Sequence, residues 1–251
     1  MTELPITART RIHRLSERQA VERQTLMAIL DEALIAHVAA VVDGVPVVLP
    51  FACARDGNAL LLHGSTGAGL LRACAEAQPI CVAVTHLDGL VVARSVFDNS
   101  MNYRSAVIFG IAQVLTGEDK EQALNRLVDH LLPGRTSEVR PSTAKELAAT
   151  LVLRLPLDEV SVKIRAEPAT TSPDDGENRR VWAGVLPIHQ IAAAPVPTAD
   201  VAELIPFRGQ CMRQLADSSP TPTPHPPTTR SGRERCAVRP NWGVEVIAPV
   251  A

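Results

Sequence analysis

A β-hairpin is the sequence feature that most constrains the fold of this chain. Asp43-Gly44 lies between two Val-rich apolar runs, 35–42 and 45–54. Asp-Gly at such a position is typical of a two-residue hairpin turn, because both turn residues need a positive φ. A second turn at 55–58 leads to a third apolar run, 59–63. The sequence therefore predicts three consecutive antiparallel strands.

A glycine-rich turn follows the third of these strands. Residues 60–72 read Leu-Leu-Leu-His-Gly-Ser-Thr-Gly-Ala-Gly-Leu-Leu-Arg, which indicates a buried strand, a turn and the start of a helix. Such a turn presents backbone N–H groups and hydroxyls to an anion the size of a phosphate. It matches neither G-x-x-x-x-G-K-[ST] nor G-x-G-x-x-G. A plain tight turn that needs glycine for its dihedrals is therefore the alternative.

Helical and strand patterns continue to residue 187. A Ser-x-x-Gln sequence at Ser16 has the form of a capping box and precedes a helical apolar pattern. Gly110 interrupts a long apolar strand, which predicts a bulge or a close backbone approach. The predicted helices are 17–32, 69–77, one from 117 to about 132, and 142–150; the further predicted strands are 79–93, 104–115, 151–155, 160–165 and 181–187, with irregular segments at 94–103 and 167–180.

Composition narrows the class of protein. Hydrophobic residues make up 46% of the 251 residues, which is enough for a proper core. A formal net charge of −2 gives no electrostatic support to nucleic-acid binding. No apolar run is long enough to span a membrane, and no secretory leader is recognisable. We therefore expect a soluble, cytoplasmic protein that binds neither nucleic acid nor membrane.

The cysteines and the C-terminal segment carry further expectations. The five cysteines are widely spaced, without a C-x-x-C pair, which favours buried free thiols and predicts no metal site.

Beyond residue 205 the chain is rich in Pro, Thr, Ser and Arg, a composition that buries too little surface to fold. We predict one domain over 1–205 and a disordered tail over 206–251.

The strand and helix order predicts a mainly β, α+β protein, a small Greek-key barrel with peripheral helices. Within it, four segments occur in an order that resembles the FMN-binding split β-barrel family. The similar branch comprises flavin-nucleotide-binding proteins related to pyridoxamine 5'-phosphate oxidase and to nitroimidazole-resistance proteins, and the likeness spans about residues 9–201. The four segments are Val47-Val48-Leu49-Pro50-Phe51, Leu61-Leu62-His63-Gly64-Ser65-Thr66-Gly67, Asn102-Tyr103-Arg104-Ser105-Ala106-Val107-Ile108-Phe109-Gly110 and Val181-Trp182-Ala183-Gly184-Val185-Leu186-Pro187.

The resemblance implies a homodimer with FMN at the subunit interface, each site built from both chains. Trp182 of the second subunit would lie beside the isoalloxazine, and Arg72 or Arg104 would supply positive charge to the phosphate. Lys163 and Arg165 are either an exposed strand face or further positive groups near the flavin. The other residues that the resemblance places at the flavin are Val48, Leu49 and Pro50 through backbone groups, His63, Gly64, Ser65 and Thr66 around the ribityl phosphate, and Ser105 as a polar contact.

The resemblance predicts an oxidoreductase that acts on a small organic molecule. The basic pair that the true oxidases carry at the phosphate turn is replaced by Gly67-Ala68-Gly69, so oxidation of pyridoxamine phosphate is not implied. No catalytic acid or base is identified, and flavin chemistry does not require one. The alternatives are a non-catalytic flavin- or haem-binding protein and a deazaflavin-dependent reductase. The histidines that a haem would need as axial ligands are His37, His63, His86 and His130.

Overall fold

The Asp43-Gly44 hairpin joins the first two long strands as predicted. Asp43 and Gly44 have φ values of 51° and 79°, and these positive values let the turn follow the twist of the strands on either side. Residues 35–42 pair in antiparallel register with residues 45–52. The third strand is also antiparallel to its neighbour, so the predicted three-stranded meander is confirmed.

The structure is a computed structural model that describes residues 3–170 and 180–201, all within one compact unit. The predicted tail, 206–251, lies outside the described residues. Within them the chain is mainly antiparallel β-sheet with helices at the connections. The strands are β1 (Gln19–Ala20), β2 (Ile35–Val42), β3 (Val45–Asp56), β4 (Ala59–Ser65), β5 (Pro79–Val92), β6 (Ser100–Ile111), β7 (Gln113–Val114), β8 (Thr150–Pro156), β9 (Glu159–Arg165) and β10 (Gly184–Pro187), and the helices are α1 (Arg23–Glu32), α2 (Gly69–Ala75), α3 (Gly117–Leu131) and α4 (Ala144–Ala149).

Strand β3 runs from one sheet into the other and so splits the barrel. Residues 45–52 pair with β2, whereas residues 53–56 pair with β4. The strand order is β1-β9-β6-β5-β2-β3-β4-β8-β7, and β10 adds to β5. The sheets approach each other again where a Cβ at Gly110 of β6 would lie 3.0 Å from Leu155 of β8. The fold is therefore the predicted α+β split β-barrel.

The main core lies between the inner faces of the two sheets. Successive side chains of a strand point to opposite faces, and the buried apolar residues occupy the inner positions. We call the opposite side the outer face; α3 covers part of it by packing Leu127 against Leu61. The main core includes Leu26, Ile29 and Leu30 of α1, Leu71 and Cys74 of α2, and Val38, Cys53, Leu62, Val82, Ile108, Leu155 and Val160 of the strands.

The helix predicted over 17–32 is shorter, and the predicted capping box is wrong. Ser16 begins a three-residue 3-10 turn that has no side-chain cap. Residues 19–20 form β1 and pair with the edge of β9, and α1 begins only at Arg23. The sheet edge supplies backbone hydrogen-bond partners to residues whose local pattern favours helix, so tertiary pairing overrides local propensity.

The β5–β6 hairpin is longer than predicted. Residues 100–103, predicted as irregular, belong to β6 because β5 supplies backbone partners for them. The β-bulge lies in β5 between Leu87 and Gly89 rather than at Gly110; the close approach at Gly110 comes from the Leu155 side chain. The predicted strand 104–115 is interrupted after residue 111, where the chain crosses to the second sheet as β7.

The other predicted elements are present, with ends that differ by a few residues. Thr143 and Glu146 form a capping box at α4, in which the Glu146 N–H donates to Thr143 Oγ1 and the Thr143 N–H donates to the Glu146 carboxylate. The strand predicted over 181–187 begins only at Gly184. Among the described residues, no helix has the length and hydrophobicity needed to cross a membrane.

Candidate functional site

Strand alternation divides the predicted cofactor residues between the two faces of the sheets. Arg104 and Ser105 point to opposite sides, since Ala106, two residues after Arg104, is fully buried in the core. The same rule places Leu49 and Gly64 on the inner face. Val48, Pro50 and Ser105 lie on the outer side of the sheet that contains β2, β5 and β6, and His63 and Ser65 lie on the outer side of the sheet that contains β4 and β8.

The outer face has an exposed apolar region on β2 and β3. Val48 is 58% exposed, and Ile35 and Val41 are each 54% exposed. Pro50 lies directly opposite His37 in the β2–β3 register, so a polar ring borders this region. An exposed apolar region of this kind on a folded domain marks a binding surface for a ligand or a partner.

A polar row crosses the outer face further along the sheet. Ser105 of β6 lies in register with Thr85 of β5 on one side and Lys163 of β9 on the other. The Ser105 hydroxyl donates to the Lys163 carbonyl oxygen at 3.2 Å. The Lys163 ammonium has no ion-pair or hydrogen-bond partner among the described residues. The row therefore presents a free positive charge beside the predicted polar contact.

Arg104 is engaged on the inner face by two carboxylates. Its guanidinium donates to the Glu32 carboxylate at 2.6 and 3.0 Å and to the Asp88 carboxylate at 2.8 to 3.2 Å. Hydrogen bonds to Glu32 and then to Asp88 raise the pKa of Arg104. Asp88 reaches this position because it is the extra residue of the β5 bulge. The predicted flavin contact of Arg104 would require these ion pairs to open.

The glycine-rich turn after β4 uses several of its donors internally. The Thr66 N–H and hydroxyl both donate to the Ala149 carbonyl oxygen, at 3.0 and 3.3 Å. The Gly67 N–H donates to Ser65 Oγ at 3.1 Å. Ser65 and Arg72 are exposed, and Arg72 has no ion-pair partner in the described part of the chain. The donors that this turn can offer an anion are therefore the Ser65 hydroxyl, the Arg72 guanidinium and the N–H groups of the first turn of α2.

Gly64 sets the position of this turn against the core. A Cβ at residue 64 would collide with Cδ1 of Leu71 and lie 3.6 Å from Cε1 of Phe51. By contrast, a Cβ at Gly69 would meet nothing within 4 Å. Gly64 is thus required for the close packing of α2 on β4, rather than for a positive φ.

His63 is a predicted site residue whose electrostatics are altered by burial. Its side chain is half-buried on β4, and burial lowers the pKa of its imidazole. Within residues 3–170 and 180–201, neither ring nitrogen has a hydrogen-bond partner. His86 and His130 differ, because each has Nε2 within 2.9 Å of a backbone carbonyl oxygen, that of Ile29 or Ala33. The His63 ring is therefore free to accept a hydrogen bond or to coordinate a metal centre.

Trp182 precedes β10 and is not covered by its own chain. The side chain is 62% exposed, so it does not fill the core of its own chain. Its ring lies against Gly184, where a Cβ would come within 2.9 Å of a ring carbon. Arg94 Nε donates to the Val181 carbonyl oxygen at 3.0 Å and links this segment to the end of β5.

Several residues that shape the site were not singled out from the sequence. Glu32 and Asp88 hold Arg104, and Val96 and Phe97 are 93% exposed in the β5–β6 turn. Asp88-Gly89 within an apolar strand is a sequence signal for a bulge, and Val-Phe inside a polar segment is a signal for an exposed contact. No group of three or more His, Cys, Asp or Glu in the described ranges could hold a metal ion.

The sheet order and the helices at the connections define the class of protein, an α+β split β-barrel. The family model described as pyridoxamine 5'-phosphate oxidase matches residues 22–164, which contain β2 to β8 and most of β9. The chain belongs to the pyridoxamine 5'-phosphate oxidase family. No match was found among the curated proteins.

Two solved structures are similar over most of this chain. The FAD and heme binding protein from Mycobacterium smegmatis is 42% identical, with a TM-score of 0.75 and coverage of 79% of this chain and 97% of that one. The flavocytochrome Anf3 from Azotobacter vinelandii is 34% identical, with a TM-score of 0.76 and coverage of 83% and 97%. A protein assigned to 5-nitroimidazole antibiotic resistance in Bacteroides thetaiotaomicron is 20% identical, with a TM-score of 0.49 and coverage of 58% and 86%, which is too distant to support a functional argument.

Proposed function

We propose that this protein binds a flavin nucleotide and is an oxidoreductase that acts on a small organic molecule, as a homodimer with the flavin at the subunit interface. The observation that carries the proposal is that five of the predicted cofactor residues all point away from the main core, three on the first sheet and two on the second. The 42% identity to a protein named for FAD and heme supports the same ligand class.

The groups on the outer face fit the parts of a flavin. Exposed Val48 and Pro50 offer apolar contact to a flat ring system, and Ser105 and Lys163 offer a hydroxyl and a positive charge to its polar edge. The Ser65 hydroxyl belongs to the turn that would receive the phosphate. A bound flavin would carry the electrons, while these residues would orient it and set the local charge.

Two observations support FAD over the FMN that the resemblance implies. A terminal phosphate is best held by more than one cation, yet of the two arginines predicted for it only Arg72 is without an ion-pair partner among the described residues, because Arg104 is held by Glu32 and Asp88. The relative at 42% identity is named for FAD. FMN is the alternative form, and the mass of the released ligand separates the two.

The test is an absorbance spectrum of the purified protein, followed by mass analysis of the ligand released on denaturation. The absorbance bands of an oxidised flavin are expected, with a released mass equal to that of FAD or FMN. A deazaflavin mass would favour a deazaflavin-dependent reductase. A colourless protein that does not bind added FAD or FMN would overturn the proposal. Stoichiometric flavin without turnover by reduced nicotinamide and a panel of acceptors would indicate a non-catalytic flavoprotein.

Haem binding is a second candidate function, favoured by two histidines whose rings have no hydrogen-bond partner among the described residues. His37 and His63 have no hydrogen-bond partner among the described residues, whereas His86 and His130 each have a ring nitrogen engaged by a backbone carbonyl. A neutral imidazole is the form that coordinates haem iron. We expect His63→Ala or His37→Ala to abolish a Soret band and His130→Ala to retain it. A Soret band that survives the loss of both outer-face histidines would rule these ligands out.

The thiols support the expected cellular location. Cys53, Cys74 and Cys81 are free in the structure, and free thiols are typical of reducing compartments. We propose that the protein is cytoplasmic. Fractionation of the host cells with a specific antibody tests this location, and recovery from an oxidising compartment would contradict it.

A further inference from the structure

An ordered basic segment crosses the outer side of the sheet that contains β5, β6 and β9. Residues 7–14 read Thr-Ala-Arg-Thr-Arg-Ile-His-Arg, and we call them the basic strap. Ser161 of β9 lies between buried Val160 and Val162 and therefore points to the outer side. Its hydroxyl donates to the Thr10 carbonyl oxygen at 2.8 Å. The basic strap thus lies over the outer side of β9.

Several hydrogen bonds hold the basic strap in place. The Gln19 side chain bridges it, because Nε2 donates to the Thr10 carbonyl oxygen and Oε1 accepts the Ile12 N–H, both at 3.0 Å. The Thr7 N–H donates to Thr10 Oγ1 at 2.8 Å, and Thr10 is only 1% exposed. The charged side chains of the strap are therefore carried on an ordered backbone, which lowers the entropy cost of binding a partner.

The basic strap carries an excess of positive charge. Arg9, Arg11 and Arg14 are exposed, and residues 4–16 contain no Asp or Glu. Glu159 of β9 pairs with Arg9 at 3.1 Å. Arg11 and Arg14 have no ion-pair partner among the residues that the structure describes. Two cations of the strap are therefore available to an acidic partner.

The basic strap borders the candidate flavin site. Gln19, which holds the strap, pairs with Lys163, and Lys163 pairs with Ser105 of the polar row. Neighbouring strands are about 4.8 Å apart, so the backbones of Gln19 and Ser105 are separated by about 10 Å. The Arg9 guanidinium lies 5.6 Å from the centre of the Phe109 ring, on the same side of β6 as Ser105. The strap and Lys163 thus place positive charge along one edge of the site.

The exposure of these cations indicates the kind of partner that they fit. A small ligand is usually buried over roughly 70–90% of its surface, which exposed arginines on a surface segment do not provide. The net charge of −2 gives no support to a nucleic acid. A transient protein contact, by contrast, uses exposed charges that attract and orient an oppositely charged surface. The strap therefore fits an acidic protein.

We propose that the basic strap docks an acidic electron-carrier protein, which reduces the flavin at the candidate site. Two molecules of the reduced carrier each give one electron and the solvent gives one proton, so the oxidised flavin becomes the reduced flavin anion and both carriers are oxidised. The strap orients the carrier beside the polar row. The inference rests on the proposed function, because it names the class of electron donor for that flavin.

The experiment compares Arg11→Gln/Arg14→Gln with the parent, both as full-length, flavin-loaded protein. The probe is a plant-type [2Fe–2S] ferredoxin, an acidic one-electron carrier. Calorimetric titration with oxidised ferredoxin measures the Kd, and stopped-flow absorbance with reduced ferredoxin measures the rate of flavin reduction. At low salt we expect the double variant to raise the Kd and lower the rate, each by about tenfold. The rate of the parent should fall as the ionic strength rises.

Lys120→Gln/Lys145→Gln is the matched control, because it changes the net charge by the same amount. These lysines lie on α3 and α4, away from the strap, and neither has an ion-pair partner in the two described ranges. The control is expected to keep the Kd and the rate of the parent. Circular dichroism and the flavin content confirm that each variant is folded and loaded.

Equal Kd values and rates for the strap variant and the parent would overturn the proposal. A parent protein that neither binds ferredoxin nor is reduced by it would also overturn it. Binding of anionic lipid vesicles or duplex DNA instead of ferredoxin, lost in the strap variant, would assign the strap to another partner and overturn it as well. Salt-dependent binding of ferredoxin by a protein that takes up no flavin supports the docking site and defeats the proposed function instead.

Discussion

The guanidinium of Arg104 lies 2.6 Å from the carboxylate of Glu32. The two residues are 72 positions apart, and their ion pair fastens the C-terminal end of α1 to β6. Asp88 holds the same guanidinium from the β5 bulge at 2.8 Å. The arrangement orders the inner face beneath the polar row of Ser105 and Lys163.

Replacement of Glu32 should weaken folding in a pH-dependent way. The hydrogen bond from Arg104 lowers the pKa of Glu32 below its ordinary 4.5. A lowered carboxyl pKa contributes stability that is complete above pH 4.5 and is lost as the pH falls through the lowered value. Because the Glu32 side chain is 55% exposed, solvent screening limits the cost of Glu32→Gln to about 1 kcal/mol at pH 7.

Urea unfolding at pH 7 and pH 3 checks this expectation. The difference between Glu32→Gln and the parent should shrink at the lower pH, because the stability that comes from the lowered pKa is progressively lost below pH 4.5. Glu138→Gln breaks a surface pair within one 3-10 turn and should cost only a few tenths of a kcal/mol. An equal loss of unfolding free energy in both variants at pH 7 would show that the ion pairs of Arg104 stabilise the fold no more than an ordinary surface pair does.

Gly64→Ala should destabilise the contact between β4 and α2. The added methyl group would collide with Leu71, which is fully buried, so we expect a loss of about 1–3 kcal/mol. Gly69→Ala is the matched control, because its methyl group meets nothing within 4 Å and lies on a helix; it should be neutral or stabilising by up to about 1 kcal/mol. Thermal unfolding of both variants measures the difference. Equal melting temperatures would contradict the packing role of Gly64.

The titration of His63 should lower stability in mildly acidic solution. Burial lowers the folded-state pKa of His63 from its ordinary 6.5, so below pH 6.5 the unfolded chain binds the proton more readily. Stability is therefore complete above pH 6.5 and falls as the pH decreases towards the lowered value. NMR titration of the imidazole gives the pKa directly. His63→Gln should flatten the stability profile between pH 6.5 and 5, and an unchanged profile would argue against the lowered pKa.

Ser65→Ala should weaken flavin binding if the turn after β4 receives the phosphate. The change removes a hydroxyl donor and the acceptor of the Gly67 N–H, and we expect about a tenfold rise in Kd. Flavin titration of the ligand-free protein, followed by fluorescence, measures it. Ser137→Ala removes an exposed hydroxyl that donates to the Gly134 carbonyl oxygen and should leave the Kd unchanged. Equal Kd values for both variants would place the phosphate elsewhere.

Local patterns in the sequence were sufficient for the strands, most helices and the family. The Asp43-Gly44 turn and the two-residue alternation from 35 to 63 act over a few residues, so the meander could be predicted without a partner sequence. The family model then matched residues 22–164. The same local rules were wrong at 19–20, where the pattern favours helix and the sheet edge takes the residues into β1.

The sequence by itself determined the β-meander, the glycine-rich turn and the residue types available for a cofactor. Only the tertiary structure decided which of those residues point away from the core. It engaged Arg104 with Glu32, left His63 without a partner among the described residues, and left Trp182 exposed just before β10. The physical reason is the distance along the chain over which each kind of interaction acts. Turn dihedrals and side-chain alternation depend on adjacent residues, whereas ion pairs, strand register and burial depend on residues that are far apart in the chain.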